Sequence, residues 1–519
     1  MRLALLSSLL AFAAPGLCAL SVRDSDSPHV LRLGLKRNHV DNPVGRDRRR
    51  FKRQTVDVDL YGDSMGGDIY SANLTVGTPP QQVEVSVDTG SSDLWVVYSS
   101  NEVCTARSSR CDSLGTYDPN DSSTSTTTTA EFEIVYGDQS WARGYYATDT
   151  IEIGDAEVPQ LQFGIAMTSS IDKGILGIGY STNVAARYRY PNLPELLASN
   201  NITSSNAYSL WLNRLGEDEG NVLFGGVNTA HYTGDLLTLP IIPYNGSYVH
   251  LWLTLTDLSV ESEADDITQS YSAHTEFPVV VLLDSGATIS YLPADIVAQI
   301  YNDLDVYLYE DEQFGYVPCN TYLSGREDYT VNFSFSGLTI AVPLRELVLH
   351  DAMYYQGGYL DIDGEESCIF GIAPSADFFP ILGDSFLRSA YVVFDLDNNE
   401  ISMAQANYDP GDDEILEIAS GDDGVPRATP VQDPVTTATV VVTGSALVFP
   451  EGHTNEPIFP SRTTTTTVVP STTGGNSASP SGSGTVEDEN SGDEDGAGSL
   501  RRDPLLLTVG VVGGLLLVM

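Results

Sequence analysis

Between about residues 66 and 408, short apolar runs rich in Val, Ile, Tyr and Phe alternate with Gly, Asn, Asp and Pro. Runs of that length, broken by turn formers, predict strands. Gln82 to Val87, Ala130 to Val135, Tyr391 to Asp395 and Glu400 to Ala404 are examples, and Leu193 to Ser199 and Pro293 to Asp303 are the best helical stretches. This body is therefore expected to be mainly β. The pattern changes after Tyr408. Asp409 to Glu417 is acidic, and residues 420–504 are rich in Ser, Thr, Gly, Pro and acid, with a run of threonines from Thr463 to Thr467. Such a composition buries too little apolar surface to fold, so 409–504 is expected to be a disordered stalk.

The two ends carry apolar segments of a different kind. Arg2 followed by Leu3 to Ala14, a break at Pro15-Gly16 and a small residue at Ala19 predict a signal peptide over 1–19. Leu505 to Met519 is a charge-free apolar tail of 15 residues, short for a spanning helix. A polar stretch and small residues precede it, as in a GPI attachment signal. Asn490-Ser491-Gly492 fits the attachment triplet, and Gly496-Ala497-Gly498 is the alternative. A transmembrane tail is the other reading. The expected location is the cell surface, at the plasma membrane and extending to the wall.

Within the body a pattern repeats. Val85-Ser86-Val87-Asp88-Thr89-Gly90-Ser91 is echoed by Val281-Leu282-Leu283-Asp284-Ser285-Gly286-Ala287. Each is an apolar strand ending in Asp, a hydroxyl residue and Gly. A second echo follows each, Gly174-Ile175-Leu176-Gly177 and then Pro380-Ile381-Leu382-Gly383. Two similar lobes are implied, over 66–235 and 236–408, each contributing one Asp. Gly90 and Gly286 let each loop turn tightly and leave room for the other lobe. Two carboxylates brought that close cannot easily both ionise, so they share a proton. The ionised one can take a proton from a water held between them while the other donates to a carbonyl oxygen. The pair would thus hydrolyse peptides with no metal, cofactor or nucleophilic Ser or Cys. A carboxylate pair also serves in glycosidases, but the repeated Asp-Gly loops with their echoes do not suggest one.

Charge narrows the partners. The chain of 519 residues has 71 acidic and 25 basic residues, a formal net charge of -46. Eleven of the 25 Lys and Arg lie in residues 1–53. Nucleic acid is excluded as a natural partner because phosphates would be repelled, whereas basic peptides would be attracted. Residues 20–53 end in Arg48-Arg49-Arg50-Phe51-Lys52-Arg53. They read as a removable pro-segment that docks on the acidic body; a solvated basic tail is the plainer reading. Once Cys18 leaves with the signal peptide, Cys104, Cys111, Cys319 and Cys368 remain. An even count in a secreted chain suits two disulfides, with three connectivities open. Sequons at Asn73, Asn120, Asn201, Asn245 and Asn332 mark candidate glycosylation sites.

These residues resemble the pepsin-like aspartic proteases across nearly all of 66–408. Asp88-Thr89-Gly90-Ser91-Ser92-Asp93-Leu94-Trp95 is close to that family's first signature, and Asp284-Ser285-Gly286 matches the second. The resemblance implies a bilobal β fold with the active site in the cleft between the lobes, and a monomer acting on protein and peptide substrates. It makes Asp88 and Asp284 catalytic and implies that Thr89, Gly90, Ser91, Ser285 and Gly286 support them. Tyr136-Gly137-Asp138 looks like the flap over the substrate, with Trp95 packing against Tyr136. The cysteine positions imply the pairs Cys104–Cys111 and Cys319–Cys368. Ala287 departs from the family, which often has Ser or Thr there; the missing hydroxyl implies activity reaching less acidic pH. The stalk and tail resemble the fungal yapsin-like, GPI-anchored enzymes, which implies cleavage near Lys or Arg. Asp138, beside the expected substrate side chain, would favour a cation there; a solvated turn residue is the alternative.

Overall fold

The computed structural model describes residues 29–38, 69–106, 109–136, 140–154, 156–217, 219–273, 277–308, 315–349, 354–355, 358–359, 361–362, 364–375 and 379–438. The first half of the chain forms strands β1 (Leu31–Asn38), β2 (Ile69–Val76), β3 (Gln81–Asp88), β4 (Leu94–Val97), β5 (Thr126–Val135), β6 (Trp141–Ile153), β7 (Ala156–Ser169) and β8 (Gly174–Gly177). After a helix over Leu193–Ser199 come β9 (Ala207–Trp211), β10 (Glu219–Phe224), β11 (Gly226–Asn228) and β12 (Tyr232–Pro240). A fourteen-stranded sheet runs in the order Ala428–Pro430, β12, Glu400–Ala406, Ala390–Asp395, β9, β10, β1, β2, β3, β8, β4, β7, β6, β5. The remaining C-terminal strands form smaller sheets, one of which holds Val279–Leu283.

The strands follow their side-chain pattern. In β3, Val83, Val85 and Val87 turn inward while Gln82 stays out, until both faces are buried near Asp88. All five residues of Val279–Leu283 are buried, as in a strand covered on both sides. Each of these two strands has a parallel neighbour built from its echo motif. In the first lobe Asp88 stands in register with Gly177 of β8; in the second, Leu283 stands in register with Leu382. The repeat in the sequence is therefore a repeat in space, and it delivers both aspartates at strand ends. Among the described helices are Leu193–Ser199 and Ala294–Leu304, near the stretches the sequence marks.

Two boundaries differ from the sequence expectation. The division at 235/236 falls inside β12, which pairs antiparallel with Glu400–Ala406, so the lobes are joined by shared sheet. The expected stalk also begins too early. Residues 409–438 form a strap on the body: Ile415–Glu417 pairs with β11 and Ala428–Pro430 runs parallel to β12. Ile418 and Val425 are buried with Trp211, Val227 and Tyr391. The few apolar residues of this acidic run show no sustained period, so the packing was not legible in composition. Of the stalk, 439–504 lies outside the described residues, as do the signal peptide, the Lys52-Arg53 junction and the C-terminal tail.

Of the basic segment, β1 is described. It lies between β10 and β2, with Leu31, Leu33 and Leu35 buried. The strap meets it, Arg32 pairing with Asp413 at 2.6 Å. Disulfides join Cys104 to Cys111 and Cys319 to Cys368.

Candidate active site

The two Asp-Gly loops face one another. Asp88 and Asp284 are 2% and 3% exposed although each is a carboxylic acid. A Cβ added to Gly90 would lie 2.7 Å from the carboxyl atoms of Asp284, and one added to Gly286 would lie 2.7 Å from Asp88 Oδ1. Each carboxyl thus rests against the opposite glycine, and any side chain at either position would force a carboxyl to shift. Gly90 N–H donates to Asp88 Oδ1 at 2.8 Å and Gly286 N–H to Asp284 Oδ1 at 2.7 Å. Ser91 Oγ donates to Asp88 Oδ2 at 2.5 Å.

The hydroxyl residue in each loop locks the other loop. Thr89 Oγ1 donates to the Leu283 carbonyl at 2.9 Å and accepts the Ser285 N–H at 2.9 Å. Ser285 Oγ reciprocates, donating to the Val87 carbonyl at 3.0 Å and accepting the Thr89 N–H at 3.2 Å. Four hydrogen bonds across the pseudo-twofold axis tie together the backbone segments that carry the aspartates. Ala287 is fully buried in the second loop.

The β5–β6 hairpin closes with the Tyr136 N–H on the Ser140 carbonyl at 2.9 Å. Trp95 Nε1 donates to the Tyr136 hydroxyl at 2.7 Å, and both rings share one apolar cluster with Phe132 and Tyr190. Gly137 and Asp138 lie outside the described residues.

The sequence reading missed Asp93. It is fully buried, and its carboxylate accepts the hydroxyls of Tyr146 at 2.9 Å and Tyr190 at 2.7 Å. It also accepts the Ala185 N–H at 2.6 Å. Burial raises its pKa above the ordinary carboxylate value, against the pull of these three donors. An acid flanked by Ser92 and the buried pair Leu94-Trp95 was the available signal, but its partners are distant in sequence. Of the sequon asparagines, Asn73, Asn120, Asn201 and Asn245 are exposed. Asn332 differs from these: it is 7% exposed, within a strand paired on both sides.

Paired carboxylates at two matched strand ends, locked by reciprocal hydroxyls, define an aspartic protease. Residues 69–406 match the eukaryotic aspartyl protease family; the chain belongs to that family and is an aspartic-type endopeptidase. Fungal enzymes are among its relatives. It is 44% identical over 443 residues to the probable aspartic-type endopeptidase opsB of Aspergillus oryzae, covering 84% of this chain and 88% of that one. The probable endopeptidase OPSB of Arthroderma benhamiae is 39% identical, over 81% of this chain and 85% of its own. Candidapepsin-3 of Candida albicans is 36% identical, over 78% and 96%.

Proposed function

We propose that Asp88 and Asp284 are the catalytic dyad of this endopeptidase. The observation that carries the reading is the mutual seating of each carboxyl against the other loop's glycine. A water between the two carboxyls is deprotonated by the ionised one and attacks the peptide carbonyl, while the protonated one donates to the carbonyl oxygen. The tetrahedral intermediate then collapses as the leaving amine takes the proton that the first carboxylate removed from the water, while the second carboxylate recovers its own from a hydroxyl of the intermediate. The buried, preorganised loops need little rearrangement as charge shifts between the two acids. Thr89, Gly90, Ser91, Ser285 and Gly286 hold the dyad; Tyr136, Gly137 and Asp138 form the flap, with Trp95 positioning Tyr136.

The enzyme is made as a zymogen, led into the secretory pathway by residues 1–19 and inhibited by 20–53. The strand β1 inserted in the central sheet supports this, since its removal would leave β10 and β2 unpaired along that edge. It acts as a monomer at the cell surface, glycosylated and anchored through a GPI lipid at Asn490 or Gly496. The net charge of -46 favours substrates with Lys or Arg near the cut.

Cleavage of a peptide library at acidic to neutral pH by the ectodomain processed after Arg53 tests the reading. Cuts beside Lys or Arg that vanish in Asp284→Asn are expected. Cuts that persist in Asp284→Asn would remove that residue from the chemistry, and cuts beside apolar residues alone would remove the basic preference.

A further inference from the structure

The loop between β8 and the Leu193–Ser199 helix is fastened to the residues that follow the Asp88 loop. Gly179 N–H donates to the Ser91 carbonyl at 2.9 Å. Asn192 Nδ2 reaches the carbonyls of Gly179 and Ser92 at 2.8 and 3.4 Å. Asp93 holds both Ala185 and Tyr190. Val184 and Tyr190 are buried in the cluster that contains Tyr136 and Trp95, and Ala185 and Ala186 pack against it. The tip, Arg187-Tyr188-Arg189, is therefore held rigidly at its base, on the flap side of the first lobe, and is itself exposed.

What the tip presents is unusual for this chain. Between Gln54 and Tyr408 there are ten Lys and Arg in all, and two of them stand here on either side of a tyrosine that is 75% exposed. Arg189 is committed, bonding Glu195 at 2.7 Å and Ser181 at 3.0 Å. Arg187 is not. Among the described residues its guanidinium meets the Tyr188 ring, 5.7 Å from the centroid, and no carboxylate. Among the described residues this guanidinium has no carboxylate, and it is available to one brought from outside. The tyrosine ring beside it supplies an apolar platform for the stem of such a side chain, and the guanidinium fork matches a carboxylate in two parallel hydrogen bonds.

We infer that Arg187 is a specificity residue for the substrate: it binds an acidic side chain, Asp or Glu, placed a few residues from the scissile bond, with Tyr188 packing on that side chain's stem. The assignment deepens the protease reading and rests on the dyad acting in the adjacent cleft. It is independent of any preference for Lys or Arg at the cut, and a substrate carrying both charges would satisfy both. Because the guanidinium is exposed, the preference is modest and salt-sensitive, about three- to fivefold in kcat/KM.

The test uses the processed ectodomain and peptides in which Glu and Gln are exchanged at each of the positions flanking the cut. At low salt and a pH of about 5.5, where a peptide Glu is ionised, Glu should outperform Gln at one position. The advantage should vanish in Arg187→Gln, in high salt, and at a pH of about 3, while Gln peptides are cut equally by both enzymes. A Glu advantage that survives in Arg187→Gln, or no Glu advantage at any position, would overturn the assignment. Loss of the dyad reading shows differently, as cleavage of every peptide by Asp284→Asn.

Discussion

Asp93 accepts the Tyr190 hydroxyl at 2.7 Å across 97 residues of chain. The bond joins the segment that follows Asp88 to the loop that borders the flap cluster, and Tyr146 of β6 reaches the same carboxylate. One buried acid thus holds the segment after Asp88, the β5–β6 hairpin and the Arg187 loop in a common frame. Asp93→Ala should leave both tyrosine hydroxyls and the Ala185 N–H without their acceptor, lowering stability by about 3 kcal/mol or more. Urea unfolding measures the loss. Asp93→Asn should be milder, since its amide oxygen still accepts one or both hydroxyls.

Stability should respond to pH through two opposed groups. Burial raises the Asp93 pKa, so its contribution is full below the unfolded value of about 3.9 and is lost as pH rises through the folded value. Burial between Trp252 and Phe379 instead lowers His250 to about 4. Its contribution is present above the unfolded value of about 6.5 and is lost as pH falls through about 4. His250→Phe should therefore flatten the rise in stability between about pH 4 and 6.5, and Asp93→Asn should remove a fall over the range just above pH 4. Chemical denaturation across that series resolves both slopes.

Removing the Thr89 hydroxyl should damage both lobes at once. Thr89→Val keeps the shape but leaves the Ser285 N–H and the Leu283 carbonyl without their partner. A cost of about 2–4 kcal/mol is expected. Activity should fall at least tenfold, because the aspartates are held by the same bonds. Thermal unfolding and kcat read the two effects separately.

The Trp95–Tyr136 hydrogen bond predicts a smaller, more local effect. Tyr136→Phe leaves a buried indole N–H unbonded, costing about 1–2 kcal/mol at the base of the flap. The global fold should survive with kcat/KM down by roughly tenfold, measured on a single peptide.

Residues 409–438 should behave as part of the folded enzyme. Ile418→Ala deletes a fully buried side chain from the strap and should cost about 2–4 kcal/mol. Limited proteolysis of the native protein should leave residues 409–430 attached to the body. Peptide mapping of the same material should find glycans at Asn73, Asn120, Asn201 and Asn245, and none at the buried Asn332.

Much of the site was readable because its signals are local. An apolar strand ending in Asp, hydroxyl and Gly is covalently contiguous, and its recurrence with the Ile-Leu-Gly echoes implied two lobes before any contact was known. The cysteine pairing followed from the family resemblance, since count alone left three connectivities. The strap was opaque because its few apolar residues sit in acidic sequence, and Ile418 and Val425 bury against strands far away in the chain. The burial of Asn332 was hidden for a related reason: a sequon is three residues long, whereas accessibility depends on the strands on either side.

By itself the sequence determined the strand-rich body, the two aspartates and the glycines that let them approach, since periodicity and turn chemistry act within a few residues. Tertiary structure alone decided what those elements share. It ran one sheet through both lobes, set Thr89 against Leu283 and Ser285, gathered Tyr146, Tyr190 and Ala185 around Asp93, and left Arg187 facing solvent. Burial and hydrogen-bond closure are properties of groups brought together from distant parts of the chain, and no window along the sequence contains them.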